Sequence, residues 1–238
     1  MVVRHHEIDF ASGALVFPGG SVDPGDLELA ARPDRCPPIA GLDAAALSCR
    51  VAAVREVFEE TGMLLARAGD RLVDGARRKQ IDDTYRAELC RGEAGFADLL
   101  EREDLTLATE MLVPFAHWIT PQGRRKRFDT HFFLAEAPSD QSATHDGREA
   151  VDSVWIEPLV AITEADRGRY KLVFPTQMNL VKLGRSTDLA SALRTARASK
   201  VVTVQPEVIE TPDGRTLRLP AEADYGGELF RPTNAPAV

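Results

Sequence analysis

Between Ser48 and Gly62 the chain repeats apolar and charged positions with helical spacing. Val51, Val54 and Phe58 fall on one side, and Glu56, Glu59 and Glu60 fall on another, because residues three and four apart are neighbours on a helix. The spacing predicts a helix over 48–61, with Ser48 as N-cap and Gly62 as its stop. Residues 14–18 (ALVFP) run apolar into Gly19-Gly20 and predict a strand that ends at a loop. The stretch 27–47, rich in Ala, Pro and Asp, predicts a long loop with at most short helices. Helical spacing returns at Ile81, Tyr85 and Leu89 over 76–91. Gly92 and Gly95 interrupt it, and Phe96, Leu99 and Leu100 suggest a second short helix, so 76–108 reads as a helical insertion. Residues 112–119 and 127–137 are strand-like; Phe128, Thr130, Phe132 and Leu134 alternate with Asp129, His131, Phe133 and Ala135. A short strand is expected over 153–157 around Trp155, and a helix over 176–198. VVTVQPEVIET and RTLRLP, with Pro212-Asp213-Gly214 between them, read as a hairpin. The last dozen residues read as a loose tail. Strands interleaved with helices predict a mixed α/β or α+β sandwich. The expected organisation is a main domain over 1–198 and an extension over 199–238.

Composition narrows the partners. The 238 residues suit one large domain or one domain with additions. A formal net charge of -8 removes the electrostatic footprint of a nucleic-acid binder. It leaves room for an anionic substrate wherever metal ions and local Arg or Lys reverse the field. No apolar run approaches the ~20 residues that span a bilayer, so no membrane partner is expected. The opening MVVRHHEIDF lacks the apolar segment of a signal peptide, and the closing TNAPAV is not a peroxisomal address of the Ser-Lys-Leu kind. Cys36, Cys49 and Cys90 are an odd number without CxxC spacing, which argues against disulfides or a zinc site and fits a reducing cytoplasm. His5, His6, His117, His131 and His145 show no metal-ligand spacing, and none is assigned a role.

The acidic face of the 48–61 helix carries the candidate chemistry. Three carboxylates so close repel one another unless something positive sits over them, and a hard divalent cation prefers oxygen ligands. The bland alternative is a solvated acidic face. Arg55 is expected to pair with a neighbouring Glu and hold its rotamer. Gly19-Gly20 lets backbone approach closely. The basic run Arg124, Arg125, Lys126 and Arg127 reads equally as a charged hairpin tip or a phosphate-binding patch. Asp129 is expected in a structural ion pair, and Trp118 and Phe115 in the core.

Phe17-Pro18-Gly19-Gly20, Asp26 and Arg55-Glu56-x-x-Glu59-Glu60-x-Gly62 together resemble the Nudix box, with Gly20 as its first Gly and Val57 and Met63 in its apolar slots. Asp26 stands where the box has Glu, and the spacer from Asp26 to Arg55 is about 20 residues longer than the usual seven. Trp118-Ile119-Thr120-Pro121, Arg125-Lys126-Arg127-Phe128-Asp129-Thr130-His131, and Glu149 six residues before Trp155 look like the acyl-CoA diphosphatase branch. Arg4, Gly13 and Phe17-Pro18-Gly19-Gly20 match a signature frequent in CoA-hydrolysing members, whereas His5 and Asp9 depart from it. Only three residues precede Arg4, so the strand expected before it is missing, and either the start is misplaced or another segment substitutes.

The resemblance implies a Nudix-type α/β/α sandwich with a mixed central sheet, a loop insertion at 27–47, a helical insertion at 76–108 and a C-terminal extension. It implies Mg²⁺ or Mn²⁺ held by Glu56, Glu59, Glu60 and backbone at Gly19 and Gly20. Arg55 and Glu59 would be catalytic, with Glu149 an extra metal ligand or the general base. Arg4, Arg125 and Arg127 would bind substrate. The implied reaction is hydrolysis of a diphosphate, CoA or acyl-CoA foremost, to 3',5'-ADP and a phosphopantetheine. NAD-like or ADP-sugar compounds, or a regulatory protein without turnover, are the alternatives. Family habit also admits a homodimer, which no residue pattern of this chain supports.

Overall fold

The structure is a computed structural model and describes residues 1–6, 11–124, 126–212 and 214–232. Asp9, Arg125 and Asp213 lie outside the described residues. In chain order the elements begin with β1 (Val2–Arg4), β2 (Leu15–Val16), α1 (Pro24–Ala30), α2 (Ala44–Thr61), β3 (Ala66–Ala68) and β4 (Arg71–Leu72). Next come α3 (Gly75–Ile81), a π turn over Asp82–Arg86, α4 (Ala87–Cys90), α5 (Phe96–Arg102), β5 (Thr106–Leu107), β6 (Val113–Ile119), β7 (Asp129–Leu134) and β8 (Ala150–Ser153). The chain continues with α6 (Pro158–Asp166), α7 (Phe174–Leu183), α8 (Leu189–Ala198), β9 (Thr203–Val204), β10 (Glu207–Thr211), β11 (Gly214–Arg218) and β12 (Leu229–Phe230). Two compact units assemble from these, each from separated segments of chain.

The first unit comprises Met1–Ser12, Phe17–Leu112 and Glu136–Trp155. Its spine is α2, which starts earlier than the sequence predicts. Asp43, not Ser48, is the N-cap and accepts from the Ala46 amide at 2.8 Å. Ser48 lies inside the helix and donates to the Ala45 carbonyl. Gly62 ends α2 in the left-handed region, at φ 70°, where a residue without Cβ is unstrained. Val51, Val54 and Phe58 are fully buried; each contributes about 1.5–3 kcal/mol of apolar burial. Phe58 meets Phe96 of α5 with ring centroids 6.3 Å apart.

The spacer between Asp26 and Arg55 is therefore not a free loop. α1 and the first turns of α2 absorb part of it. Arg35 ties the remainder down through Asp104 at 2.9 Å and through its carbonyl, which accepts from the Leu107 amide at 2.7 Å. β1 pairs antiparallel with β8, so a three-residue strand stands where the sequence reading finds none. β8 precedes Trp155, which is exposed rather than central to a strand.

The second unit comprises Gly13–Val16, Val113–Ala135 and Ile156–Val238. Here β6 pairs antiparallel with β7 and parallel with β9, giving a mixed sheet. Trp118 is buried and donates from Nε1 to the Tyr225 hydroxyl at 2.9 Å. Tyr225 in turn donates to Asn179 Oδ1 at 2.8 Å. The expected 176–198 helix is two helices, α7 and α8, parted at 184–188. The expected hairpin forms from β10 and β11. Leu229 and Phe230, read from sequence as tail, pair with β11.

Candidate active site

Burial of the apolar stripe of α2 leaves its acidic residues on the other side, one turn apart. Arg55 sits among them and is itself buried. Its Nε and Nη2 donate to the two Asp26 carboxylate oxygens, both at 2.9 Å. Nη1 donates to Glu56 Oε1 at 2.9 Å and to Glu59 Oε2 at 3.2 Å, while Nη2 also reaches the Ser21 carbonyl at 2.9 Å. A planar guanidinium suits this fork geometry, which a Lys cannot reproduce. Asp26 is 1% exposed. It is oriented by a reciprocal cap at the start of α1, where Asp26 Oδ2 accepts from the Asp23 amide and Asp23 Oδ1 accepts from the Asp26 amide. The Asp26 departure from the box thus keeps its carboxylate in contact with Arg55.

Glu60 is 4% exposed and accepts from the Gly19 amide at 3.0 Å. Gly19 holds φ +150°. A Cβ on Gly20 would fall 2.2 Å from Glu56 Oε1, so the glycine loop lies directly against the cluster. Burial, reinforced by the neighbouring carboxylates, pushes Glu56 up to about 7 against the pull of Arg55. Burial pushes Glu60 up to about 8 against the Gly19 amide. Glu59 shifts upward for the same reason. Glu149 is exposed, and its charge adds to the upward push on both Glu56 and Glu60. Arg4 lowers Glu60 through its charge, and its Nε is buried without a hydrogen bond.

Two further residues hold this arrangement, and neither carries a motif in the sequence. Arg86, in the π turn, donates from Nε to the Glu59 carbonyl at 2.8 Å and from Nη2 to the Thr144 carbonyl at 2.7 Å. It thereby links the end of α2 to the loop that leads to Glu149. Gln141 is buried and bonds Leu64 through both backbone groups, and the Val73 carbonyl as well. Arg127 belongs to the second unit, is exposed, and donates to the Thr120 carbonyl. Lys126 lies over the Phe128 ring at 5.4 Å.

The donors on α2 are carboxylate oxygens, the set that hard cations take. Arg55, the cation bonded to Glu56 and Glu59, is already shared with Asp26. Burial raises Glu56 and Glu60 although Arg55 and Arg4 act against it, and a divalent ion would favour their ionised forms.

The NUDT19 Nudix domain family matches residues 41–183, which include α2 and Glu149 but not Gly19 and Gly20. The chain belongs to this family of Nudix hydrolases. Nudix members are in general dependent on a divalent metal. A Nudix hydrolase from Alicyclobacillus acidocaldarius has the same fold, with a TM-score of 0.70 and 27% identity over 84% of this chain and 87% of that one. The acyl-coenzyme A diphosphatases NUDT19 of Xenopus laevis and Gallus gallus are 24% and 27% identical over 69% and 67% of this chain. A Caenorhabditis elegans protein that carries a nudix hydrolase name is 26% identical over 87% of it. The chain spans 53–62% of the length of these three curated relatives. Among the described residues, no helix is long and apolar enough to cross a membrane.

Proposed function

We propose that this Nudix chain hydrolyses the diphosphate of a nucleoside diphosphate conjugate, and that CoA or an acyl-CoA is its substrate. The observation that carries the reading is the carboxylate trio of α2: Arg55 holds Glu56 and Glu59, the Gly19 amide holds Glu60, and burial raises Glu56 and Glu60 in pKa. The names of the frog and chicken relatives support the CoA class.

Glu56, Glu59 and Glu60 would hold Mg²⁺ or Mn²⁺, which when bound neutralises diphosphate oxygens and acidifies water. The chain's own groups do the rest. Arg55 orients Glu56 and Glu59, the Gly19 amide orients Glu60, and the close Gly20 backbone keeps the Glu56 carboxylate in place. A water oxygen bonds to phosphorus, the bridging P–O bond breaks, and the proton released by the water passes to Glu149 as general base. Arg4 meets the substrate's negative charge, and Arg125 and Arg127 are further candidates for that role. On CoA the products are 3',5'-ADP and phosphopantetheine.

Chromatography of CoA, acyl-CoA, NAD and ADP-sugar incubations with Mg²⁺ or Mn²⁺ tests the reading. Wild type is expected to release 3',5'-ADP from CoA or acyl-CoA. Glu59→Gln is expected to lose at least ~10³-fold in rate while keeping the circular dichroism of the parent. Cleavage of NAD alone would move the substrate assignment, and no cleavage of any compound would remove the enzyme reading.

A further inference from the structure

A second group of donors converges far from α2 in sequence. His117 on β6 and His131 on β7 are register partners. Their rings stack with centroids 4.1 Å apart and 8° between planes. Asp129, two positions earlier on β7, shares that face of the sheet. Its Oδ1 lies 2.5 Å from His117 Nε2 and 4.0 Å from His131 Nε2. One donor atom from each of the three lies within 4.8 Å of the others. Thr203 on β9 extends the row: it is the register partner of His117, and its Oγ1 lies 2.8 Å from His117 Nδ1.

We propose that His117, Asp129 and His131 form a binding site for a borderline divalent metal ion of the Zn²⁺ class. The donor set argues for that class: two imidazole nitrogens and one carboxylate oxygen suit zinc and its neighbours, whereas the oxygen-only cluster of α2 suits harder ions. The outer contact argues for it too. Metal-ligating histidines characteristically bond a fixed partner through their other ring nitrogen, and Thr203 occupies that place for His117. A plain His117–Asp129 ion pair uses two of the three groups. It leaves the His131 ring stacked on that of His117, with no hydrogen bond of its own among the described residues. A dication satisfies all three.

A tetrahedral ion with bonds of ~2.0–2.1 Å holds its ligand atoms about 3.4 Å apart. That spacing lies between the two Asp129 distances. Asp129 and His131 are both exposed, which leaves their side chains room to rotate, and the His131 ring would leave its stack on His117 to face the ion. The fourth position stays open to water or an external ligand. The sequence assigned these histidines no role because they lie on different strands and share no short-range spacing; strand register brings them together.

The test is calorimetric titration of the full chain with ZnCl₂ in a Glu56→Gln, Glu60→Gln background, which removes competition from α2. Imidazole ¹H–¹⁵N spectra are recorded alongside. One Zn²⁺ is expected per chain, with the ring signals of His117 and His131 shifted. His131→Ala and Asp129→Asn are each expected to weaken binding at least tenfold, and Thr203→Val about tenfold or more. All three positions are exposed, and melting curves without zinc verify that the variants stay folded. Equal affinity in His131→Ala places the ion elsewhere, for example at His5-His6, and overturns the proposal. Unmoved His117 and His131 signals overturn it as well, because they reduce the cluster to an ion pair and a ring stack.

Discussion

At the scale of single residues, the arrangement turns on Asp26. Its side chain is one methylene shorter than the Glu of the box, yet it grips Arg55 through both oxygens. The grip matters because Arg55 also spans Glu56 and Glu59, so freeing one end of the guanidinium loosens the other. Breaking a buried ion pair from one side leaves a charge without its partner, at about 3–5 kcal/mol. Arg55 retains two Glu contacts, so the lower end of that range applies. Asp26→Asn is expected to cost about 3 kcal/mol in urea denaturation and to lower turnover together with it. A variant as stable and active as wild type would show that the Asp26 clamp is incidental.

At the scale of elements, the helical insertion does more than decorate. Its π turn places Arg86 so that one guanidinium holds the last turn of α2 and the loop before Glu149. Glu59 and Glu149 come from segments 90 positions apart in numbering, and Arg86 is the bridge between those segments. Charge-assisted hydrogen bonds to carbonyls are worth about 1.5–3 kcal/mol each. Arg86→Met is expected to lower stability by about 2–3 kcal/mol and to raise the Mn²⁺ concentration needed for half-maximal turnover. Turnover assays across a Mn²⁺ series read the second effect; an unchanged metal requirement would confine Arg86 to folding. Element boundaries moved for the same kind of reason. Ser48 and Asp43 are both good caps by residue type; Asp43 takes the place by accepting from the Ala46 amide, while Ser48 bonds the Ala45 carbonyl inside the helix.

At the scale of the whole molecule, the raised carboxylates couple folding to pH and to metal. Glu56 and Glu60 ionise near the ordinary 4.5 when unfolded, but at about 7 and about 8 when folded. Below the lower value both states are protonated and nothing is lost. As pH rises through that window the unfolded state gives up its protons first, so the metal-free fold loses stability, and the loss is complete above the folded values. A cation bound to the ionised folded form reverses it. Mn²⁺ is therefore expected to raise the melting temperature little near about pH 5 and most near about pH 8. Glu60→Gln is expected to melt higher than wild type at about pH 8 in EDTA, and to respond less to Mn²⁺. Thermal scans of both proteins with EDTA and with Mn²⁺ decide it; equal melting temperatures in EDTA at that pH would show that Glu60 is not strained by its burial.

Local spacing by itself determined the helix that carries Glu56, Glu59 and Glu60, its buried face of Val51, Val54 and Phe58, its glycine stop and the β10–β11 hairpin. Each of these depends on neighbours within a few positions, where periodicity and cap chemistry act. The family was legible for the same reason, because its motif is mostly one helical stretch. Tertiary structure alone decided that Asp26 answers Arg55 across 29 positions, that Arg86 ties α2 to the Glu149 loop, and that His117, Asp129 and His131 meet. Those contacts come from chain reversal and strand register, and no short-range pattern of residues encodes which distant side chains packing will bring within bonding distance.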